Sequence, residues 1–179
     1  MQFNVWIEGD DYILKIAYSY KDILQKKFEE IMFKEYYKYY NNDCYYDYDC
    51  TPKDSSWNAL QFVSIDKENN VVGYLSANIN RSDNKISALE IVNFDHKCNI
   101  TFAKDLHTFL LDLFEKFNFR KICWGVVVGN PIEKMYDKYC LKYGGSIVGT
   151  HKRHIKLYDG ELYDYKLYEI LKEDYFKIK

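Results

Sequence analysis

The segment Lys121–Val128 constrains the fold of this chain more than any other feature of its sequence. It reads KICWGVVV, without the polar alternation of a half-exposed strand, and such a run is typical of a strand that is covered on both faces of a sheet. The segment before it has apolar residues at helical spacing, namely Phe102, Leu106, Phe109, Leu110, Leu113, Phe114 and Phe117. Together the two segments predict a sheet flanked by helices, an α/β (α+β) architecture.

Three more strands with short connections are predicted before that helix. They span Leu60–Ile65, Val71–Ile79 and Lys85–Phe94. The segments between them, 67–70 and 81–84, are polar and rich in Asn, as hairpin turns are. The sequence therefore predicts an antiparallel meander of three strands.

The region before the meander combines predicted secondary structure with a long loop. Residues 4–17 favour one or two short strands. Ser19 followed by Asp22 marks the start of a helix, which the apolar spacing continues to about residue 40. Residues 41–57 have no clear period and are rich in Tyr, Asp and Cys. A loop of this length inside a compact domain usually has a function.

The region after the buried strand predicts a helix, a hairpin and a short tail. Asn130 is a good N-cap and Pro131 suits the first helical position, so a helix is expected from there to Gly144-Gly145. Ile147–Leu157 and Leu162–Tyr168 are predicted to form the hairpin. The remaining tail favours a short helical turn.

We therefore predict a single domain over residues 1–179, with a mixed, mostly antiparallel sheet of six or seven strands and helices on both faces. A length of 179 residues is enough for one core and too short for two comfortable domains.

Composition excludes several classes of function. The 25 basic and 27 acidic residues give a net charge of −2, which removes the bulk electrostatic attraction of a nucleic-acid-binding protein. No run of about 18 apolar residues predicts a membrane span. The N-terminal residues lack the basic and apolar parts of a signal peptide, so a cytoplasmic location is expected. The five cysteines form no CxxC pair, so no metal site is predicted.

The order of these elements resembles the GNAT superfamily of acetyl-CoA-dependent N-acetyltransferases over about residues 5–170. Leu89–Phe94, leading into the strong helix, resembles the family's cofactor-binding strand, loop and helix. Asn130–Lys138 and Lys142–Gly149 resemble its Asn…Tyr helix and the glycine-marked turn that follows. Tyr158–Asp164 is similar to the closing hairpin of the branch that acetylates ribosomal-protein N-termini and various small amines.

The resemblance implies acetyl-CoA as co-substrate and direct attack on its thioester by an amine, which is a small amine, a peptide or a protein N-terminus. It also implies that the strand at 121–128 runs parallel to the strand at 85–94 and diverges from it near Gly125 or Gly129, which admits the cofactor. The family's pyrophosphate loop has the form Gln/Arg-x-x-Gly-x-Gly/Ala. It falls here at residues 98–103, where Ala103 matches, Cys98 replaces Gln or Arg, and Thr101 replaces Gly. Main-chain N–H groups at a helix N-terminus still face phosphate oxygens whatever the side chains are, so cofactor binding remains the prediction.

The same resemblance gives a set of expected cofactor-binding residues around that strand, loop and helix. They are Val92, Phe94, Asn99, Ile100, Thr101, Phe102, Ala103 and Asn130. Asn130 also has a purely structural explanation, because a helix N-cap favours asparagine.

Two residues are the candidates for catalysis. Glu90 lies on the strand before the cofactor loop, where the family often keeps its base; the alternative is a solvent-facing glutamate on an antiparallel strand. Tyr136 matches the family tyrosine whose hydroxyl faces the cofactor sulfur. The alternative is that Tyr136 is one more aromatic residue of the apolar helix stripe, with Tyr139 as the second choice for the role.

The acceptor amine is expected to bind at the tyrosine-rich segment 36–57. Its aromatic rings and carboxylates suit a cationic amine through cation–π and ion-pair attraction, with Tyr36, Tyr40, Asp47 and Asp49 as the binding residues. The alternative is a solvated loop whose tyrosines pack on the sheet. The competing function is a non-catalytic GNAT-like module that binds an acyl-CoA or a protein partner, and exposed tyrosines also suit a homodimer.

Overall fold

The computed structural model of the chain describes residues 14–32, 34–40, 52, 57–95 and 97–179. Its strands are β1 (Lys15–Ile16), β2 (Ala59–Ile65), β3 (Val71–Asn80), β4 (Lys85–Asn93), β5 (Lys121–Val127), β6 (Ser146–Lys156) and β7 (Leu162–Leu171). Its helices are α1 (Lys21–Ile31), α2 (Ile100–Glu115), α3 (Glu133–Lys142) and α4 (Lys172–Ile178). None of these described helices has the length and apolarity needed to cross a membrane. Most of the predicted 41–57 loop, with Asp47 and Asp49, lies outside the described residues.

The described strands form one sheet in the order β1-β2-β3-β4-β5-β7-β6. β2, β3 and β4 make the predicted antiparallel meander. β5 runs parallel to β4 and antiparallel to β7, and β6 pairs with β7 at the edge. The predicted mixed, mostly antiparallel sheet is therefore confirmed.

Each face of the sheet has its own hydrophobic core. On the face covered by α1, Phe28 packs with Tyr74 and Val92; we call it the α1 face. On the opposite face, which we call the α2 face, α2, α3 and α4 pack against residues such as Trp124. Phe109 of α2 is completely buried there, and burial of one such side chain contributes about 2 kcal/mol. The predicted apolar stripe of α2 thus faces the core.

β4 and β5 separate soon after they begin. They pair at Lys85–Lys121 and Ile86–Ile122, and beyond these pairs we call the gap between them the opening. The predicted divergence is confirmed, but its predicted position near Gly125 or Gly129 is wrong. β5 continues to pair with β7 as far as Val127–Tyr165, so β7 rather than a glycine sets the path of β5.

The predicted first helix is shorter than expected. α1 ends at Ile31, and Glu35–Tyr40 forms a separate 3₁₀ segment, which we call the tyrosine strap. Tyr37 is buried, and its hydroxyl donates a hydrogen bond to the main-chain oxygen of Asn93 at the end of β4 (2.9 Å). This long-range contact directs the chain across the end of the sheet instead of along the axis of α1.

Two elements near the C-terminus also differ from the prediction. α3 begins at Glu133, and Asn130 belongs to the turn before it, where its side-chain oxygen accepts a hydrogen bond from Ile132 N (3.2 Å). β7 extends to Leu171 and leads directly into α4, which is longer than the predicted turn. The buried Tyr175 anchors α4, because its hydroxyl donates to the Glu115 carboxylate of α2.

Candidate active site

A cavity of about 580 Å³ lies between the start of α2, the start of α3 and the tyrosine strap. Its volume is in the range of small-molecule sites, roughly 300–1,000 Å³. Six of the predicted site residues line it, namely Tyr36, Tyr40, Asn99, Phe102, Ala103 and Asn130. The structure therefore brings predicted cofactor residues and predicted acceptor residues to one place.

The N-terminus of α2 faces this cavity with its positive end. Asn99 caps the helix, since its side-chain oxygen accepts a hydrogen bond from Phe102 N (3.0 Å). The first turn contains no acidic residue, and the described lining of the cavity includes Lys97 and His107 but no carboxylate. Free N–H groups, the helix dipole and a lysine together favour an anion such as a phosphate.

The residues of the divergent pyrophosphate motif occupy different positions around this helix start. Cys98 and Ala103 line the cavity, whereas Thr101 is half-buried outside the lining. Ile100 is 69% exposed and also lies outside the lining, so its main-chain N–H, rather than its side chain, is the group suited to a phosphate. The Gly that the family keeps at the position of Thr101 is not needed to leave this cavity open.

Two predicted cofactor residues, Val92 and Phe94, pack on the α1 face. Val92 belongs to the core with Phe28, and Phe94 packs against that core with its ring 5.1 Å from the ring of Phe28. Their side chains are therefore on the other side of the sheet from the cavity. The main-chain N–H of Phe94 donates to Val72 O on β3 (3.0 Å), so it points away from the opening as well.

The hydroxyl of Tyr136 is buried close to two other tyrosine hydroxyls. Its ring packs edge-on against Trp124 and Tyr168, 6.0 and 6.1 Å away between centroids. Burial raises the pKa of Tyr136 well above its ordinary value, and the nearby phenols of Tyr40 and Tyr165 raise that pKa further. Tyr136 is therefore a neutral phenol directly behind Tyr40, which lines the cavity.

Tyr139, the second choice, lines the cavity itself. Its hydroxyl is buried and makes no hydrogen bond with the described part of the chain, and the same holds for the indole nitrogen of Trp124 next to it. Burial raises the pKa of Tyr139, so this phenol is also neutral. Buried polar groups without partners are rare and call for an explanation, and a polar ligand in the cavity supplies one.

Glu90 lies on β4, on the α1 face, with Ser76 as its partner on β3. The side chain is exposed, yet the protein around it removes enough water to raise the pKa of the carboxyl above its ordinary value. No hydrogen bond or ion pair with the described residues opposes this effect. A carboxylate with a raised pKa and a free lone pair has the properties of a general base.

The tyrosine strap closes the end of the opening. Tyr39 places its ring edge-on to Tyr163 of β7 (6.1 Å between centroids), and Glu35 accepts a hydrogen bond from the Tyr158 hydroxyl (2.7 Å). The strap is therefore joined to the β6–β7 hairpin on one side and to Asn93 of β4 on the other. Tyr36 and Tyr40 are held over the cavity by these contacts.

Sequence reasoning missed several residues that line the cavity, and a signal was present for some of them. His107 and Leu110 follow Ala103 at helical spacing, so a binding role for Ala103 implies that the same helix face continues into the site. Met135 follows Ile132 on α3 in the same way. Asn93 is the last residue of β4 and stands between Val92 and Phe94, so strand alternation directs its side chain to the opposite face, where the cavity lies.

Among the described residues, His, Cys, Asp and Glu form no group of three that is arranged to hold an ion.

No protein-family profile and no curated protein matches the sequence, but solved structures share its fold. The spermidine N-acetyltransferase SpeG of Vibrio cholerae, in complex with CoA and spermine, is 20% identical, with 87% of this chain and 77% of that chain covered and a TM-score of 0.56. A chimera of the same V. cholerae enzyme and hSSAT matches with the same identity and TM-score and with 82% of its chain covered. The chain thus has the fold of the GNAT acetyltransferases.

Proposed function

We propose that this protein is an acetyl-CoA-dependent N-acetyltransferase that transfers the acetyl group directly to an amine. The observation that carries the proposal is the arrangement around the opening. An anion-favouring cavity lies on the α2 face, and an unpaired carboxylate, Glu90, lies on the α1 face beside the same gap. Two substrates can therefore reach one reaction centre from opposite faces, and direct transfer requires that both are held there together.

The described residues fit acetyl-CoA along its length. The phosphates suit the N-terminus of α2 with Lys97 nearby. The amide groups of the pantetheine arm suit the main-chain edges of β4 and β5 that face each other, because these two strands do not pair with each other beyond Ile86 and Ile122. The thioester then falls near the hydroxyls of Tyr40 and Tyr136. Most of these contacts to acetyl-CoA would come from main-chain groups, so they do not depend on the side chains at Cys98 and Thr101.

In the proposed reaction, the amine nitrogen forms a bond to the acetyl carbon as the carbon–sulfur bond breaks. Glu90 accepts the proton of the amine, and the electron pair of the broken bond goes to sulfur. A thiol has a pKa of about 8.5, whereas that of Tyr136 lies well above 10. Full proton transfer from Tyr136 would be uphill by about 2 kcal/mol or more, so Tyr136 stabilises the leaving thiolate by donating a hydrogen bond.

The acceptor is an amine of the small-amine, peptide or protein N-terminal class. A GNAT structure with spermine bound supports the first of these. Tyr36 and Tyr40 offer aromatic faces to a cationic amine from the strap, and Asp47 and Asp49 remain predicted acceptor contacts outside the described residues. An enzyme that uses acetyl-CoA and keeps free thiols, such as Cys98, suits the cytoplasm.

A homodimer is also proposed, because the edge strand β6 exposes 47% of Ile147 and 56% of Val148. Light scattering of the purified chain at two concentrations distinguishes a dimer from a monomer. The net charge of −2 continues to argue against nucleic acid as a partner.

Stabilisation by acetyl-CoA tests the proposal. At about 100 times its Kd, the ligand should add about 2.7 kcal/mol to the free energy of unfolding, which corresponds to roughly 5–11 °C in melting temperature. Ala103→Asp puts a carboxylate into the cavity lining and should abolish the shift, although an acid in the first helical turn suits the fold. The matched control, Leu141→Asp on the exposed side of α3, should keep it.

The shift in melting temperature and the acetyl-transfer assay together distinguish the enzyme from a binding module. No shift with acetyl-CoA contradicts the enzyme and the acyl-CoA-binding module alike. A shift without acetyl transfer to spermidine or to a peptide N-terminus favours the non-catalytic module, whose support is the divergent motif at residues 98–103.

A further inference from the structure

We propose that Tyr165 of β7 forms the aromatic wall of the acceptor site, facing Glu90 across the opening and holding the ammonium group of an alkyl amine. The inference rests on the proposed function and adds to it a residue and a chemical class of acceptor. Nothing in the sequence pattern singled out Tyr165 among the many tyrosines.

Strand register places Tyr165 and Glu90 on the same face of the sheet. Val92 belongs to the α1-face core, and Glu90, two residues before it on β4, points to that face as well. On β5, Trp124 and Val126 belong to the α2-face core, so Gly125 and Val127 point to the α1 face. Tyr165 is the partner of Val127 and shares that face.

Glu90 on β4 and Gly125 on β5 also lie at similar heights along the sheet. The last paired residues of β4 and β5 are Ile86 and Ile122. Glu90 lies four residues beyond Ile86, and Gly125 lies three residues beyond Ile122, so the two are at similar heights on opposite sides of the opening.

The ring of Tyr165 lies over Gly125. A Cβ atom at Gly125 would be 2.7 Å from the Tyr165 hydroxyl oxygen and closer still to the ring, which no real Cβ tolerates without movement of its neighbour. The ring also lies near the imidazole of His154 (5.9 Å between centroids, 31° between planes). The absence of a side chain at Gly125 therefore lets the ring settle on the strand beside the opening.

The chemistry of this pair of residues suits an ammonium group. The hydroxyl of Tyr165 makes no hydrogen bond with the described residues, and burial raises its pKa, so the ring is a neutral phenol. An aromatic face attracts a desolvated cation by about 2 kcal/mol, and the carboxylate of Glu90 adds the opposite charge. A primary amine on a flexible aliphatic chain presents such a compact cation.

The closing experiment measures steady-state kinetics with acetyl-CoA and the better of two amines, spermidine or a short peptide with a free N-terminus. Tyr165→Leu should raise the KM for the amine about tenfold by removing the cation–π contact and leave the KM for acetyl-CoA unchanged. Tyr165→Phe keeps the ring and should stay within about twofold of wild type. The matched control is Tyr18→Leu, an exposed tyrosine before α1 that does not line the cavity, which should not change the KM for the amine.

A second variant keeps the test independent of any folding defect. Gly125→Ala should displace the Tyr165 ring and raise the KM for the amine, and this effect should disappear in the Tyr165→Leu background because the two changes act through one ring. Additive effects, or an unchanged KM for the amine in Tyr165→Leu, would overturn the inference and leave the proposed function standing. Absence of acetyl transfer by the wild type to either amine contradicts both.

Discussion

Replacement of Glu90 by glutamine tests the base proposed for the reaction. A side-chain amine with a pKa of about 10.4 requires about 4.6 kcal/mol to lose its proton at pH 7, whereas an α-amine with a pKa near 8 requires only about 1.4 kcal/mol. A positioned general base contributes roughly 100- to 10,000-fold in rate. Glu90→Gln should therefore lower kcat at pH 7 by about 100-fold or more for spermidine and by about tenfold for a peptide N-terminus.

The dependence of the rate on pH tests whether the raised pKa of Glu90 governs the reaction. Because burial raises the pKa of Glu90, the acidic limb of the wild-type profile should lie above the usual range of a glutamate, and activity should be lost as the pH falls through that value. Glu90→Gln has no such limb. Its rate should instead rise about tenfold per pH unit towards the pKa of the amine, since only the free amine reacts.

Stability separates a chemical effect from a folding defect. A carboxyl whose pKa is higher in the folded than in the unfolded chain contributes stability at low pH, and this contribution is lost as the pH rises through the folded value. Glu90→Gln removes that loss, so its melting temperature at pH 7 should equal or exceed that of the wild type.

The assay is the initial rate of thiol release between pH 6 and pH 10, with both amines. Glu68→Gln, an exposed glutamate in the turn between β2 and β3, is the matched control and should behave as the wild type does. An unchanged kcat in Glu90→Gln, or a loss of the same size at pH 7 and pH 10, would refute the assignment of Glu90 as the base.

Three further predictions concern other parts of the molecule. Tyr136→Phe should lower kcat and leave acetyl-CoA affinity unchanged, as expected for a contact made in the transition state; an unchanged kcat together with inactivity of Tyr139→Phe, measured by the same assay, would transfer the role to Tyr139. Asp105 is buried in α2, and burial raises the pKa of its carboxyl although a hydrogen bond from a serine acts in the opposite direction. Asp105→Asn should therefore gain stability relative to the wild type as the pH rises. A difference in unfolding free energy between variant and wild type that is the same at pH 5 and pH 8, measured by urea unfolding, would contradict this. The double variant Asp47→Asn, Asp49→Asn should raise the KM for the amine and leave that for acetyl-CoA unchanged, with an effect that shrinks in added salt; kinetics identical to the wild type would reduce these carboxylates to surface charge.

The antiparallel meander follows from the sequence because its signals are local. The hairpin turns at 67–70 and 81–84 fix the meander, and the apolar run KICWGVVV has no stable place except between covered strands. The helix boundaries that were predicted wrongly depend on contacts with residues far away in the sequence. α1 stops where the Tyr37 hydroxyl reaches Asn93, and α4 forms fully because Tyr175 reaches Glu115, and neither partner is visible from the helix itself.

The site was predictable where the family resemblance supplied a position. Asn99, Ala103 and Asn130 line the cavity, and they were expected there because the resemblance places the family's pyrophosphate loop and its Asn…Tyr helix at these residues. Val92 and Phe94 were expected near the cofactor, yet their side chains point to the other face, because a bulge between Asn78 and Ile79 shifts the register of β3 against β4. His107 and Tyr165 depend on how separate elements meet, which no local pattern encodes.

The opening between β4 and β5 has a consequence for how such a chain can change over evolution. A binding edge made of main-chain N–H and C=O groups is supplied by any sequence that keeps the two strands apart. Substitutions other than to proline can therefore accumulate along it without removing a donor or an acceptor. Selection then acts on the few pairs at Lys85 and Ile86 that hold the strands together at one end, and on residues that keep the other end apart. A chain of this kind can drift to 20% identity with its structural counterparts, beyond the reach of any family profile, while the shape that receives a ligand persists.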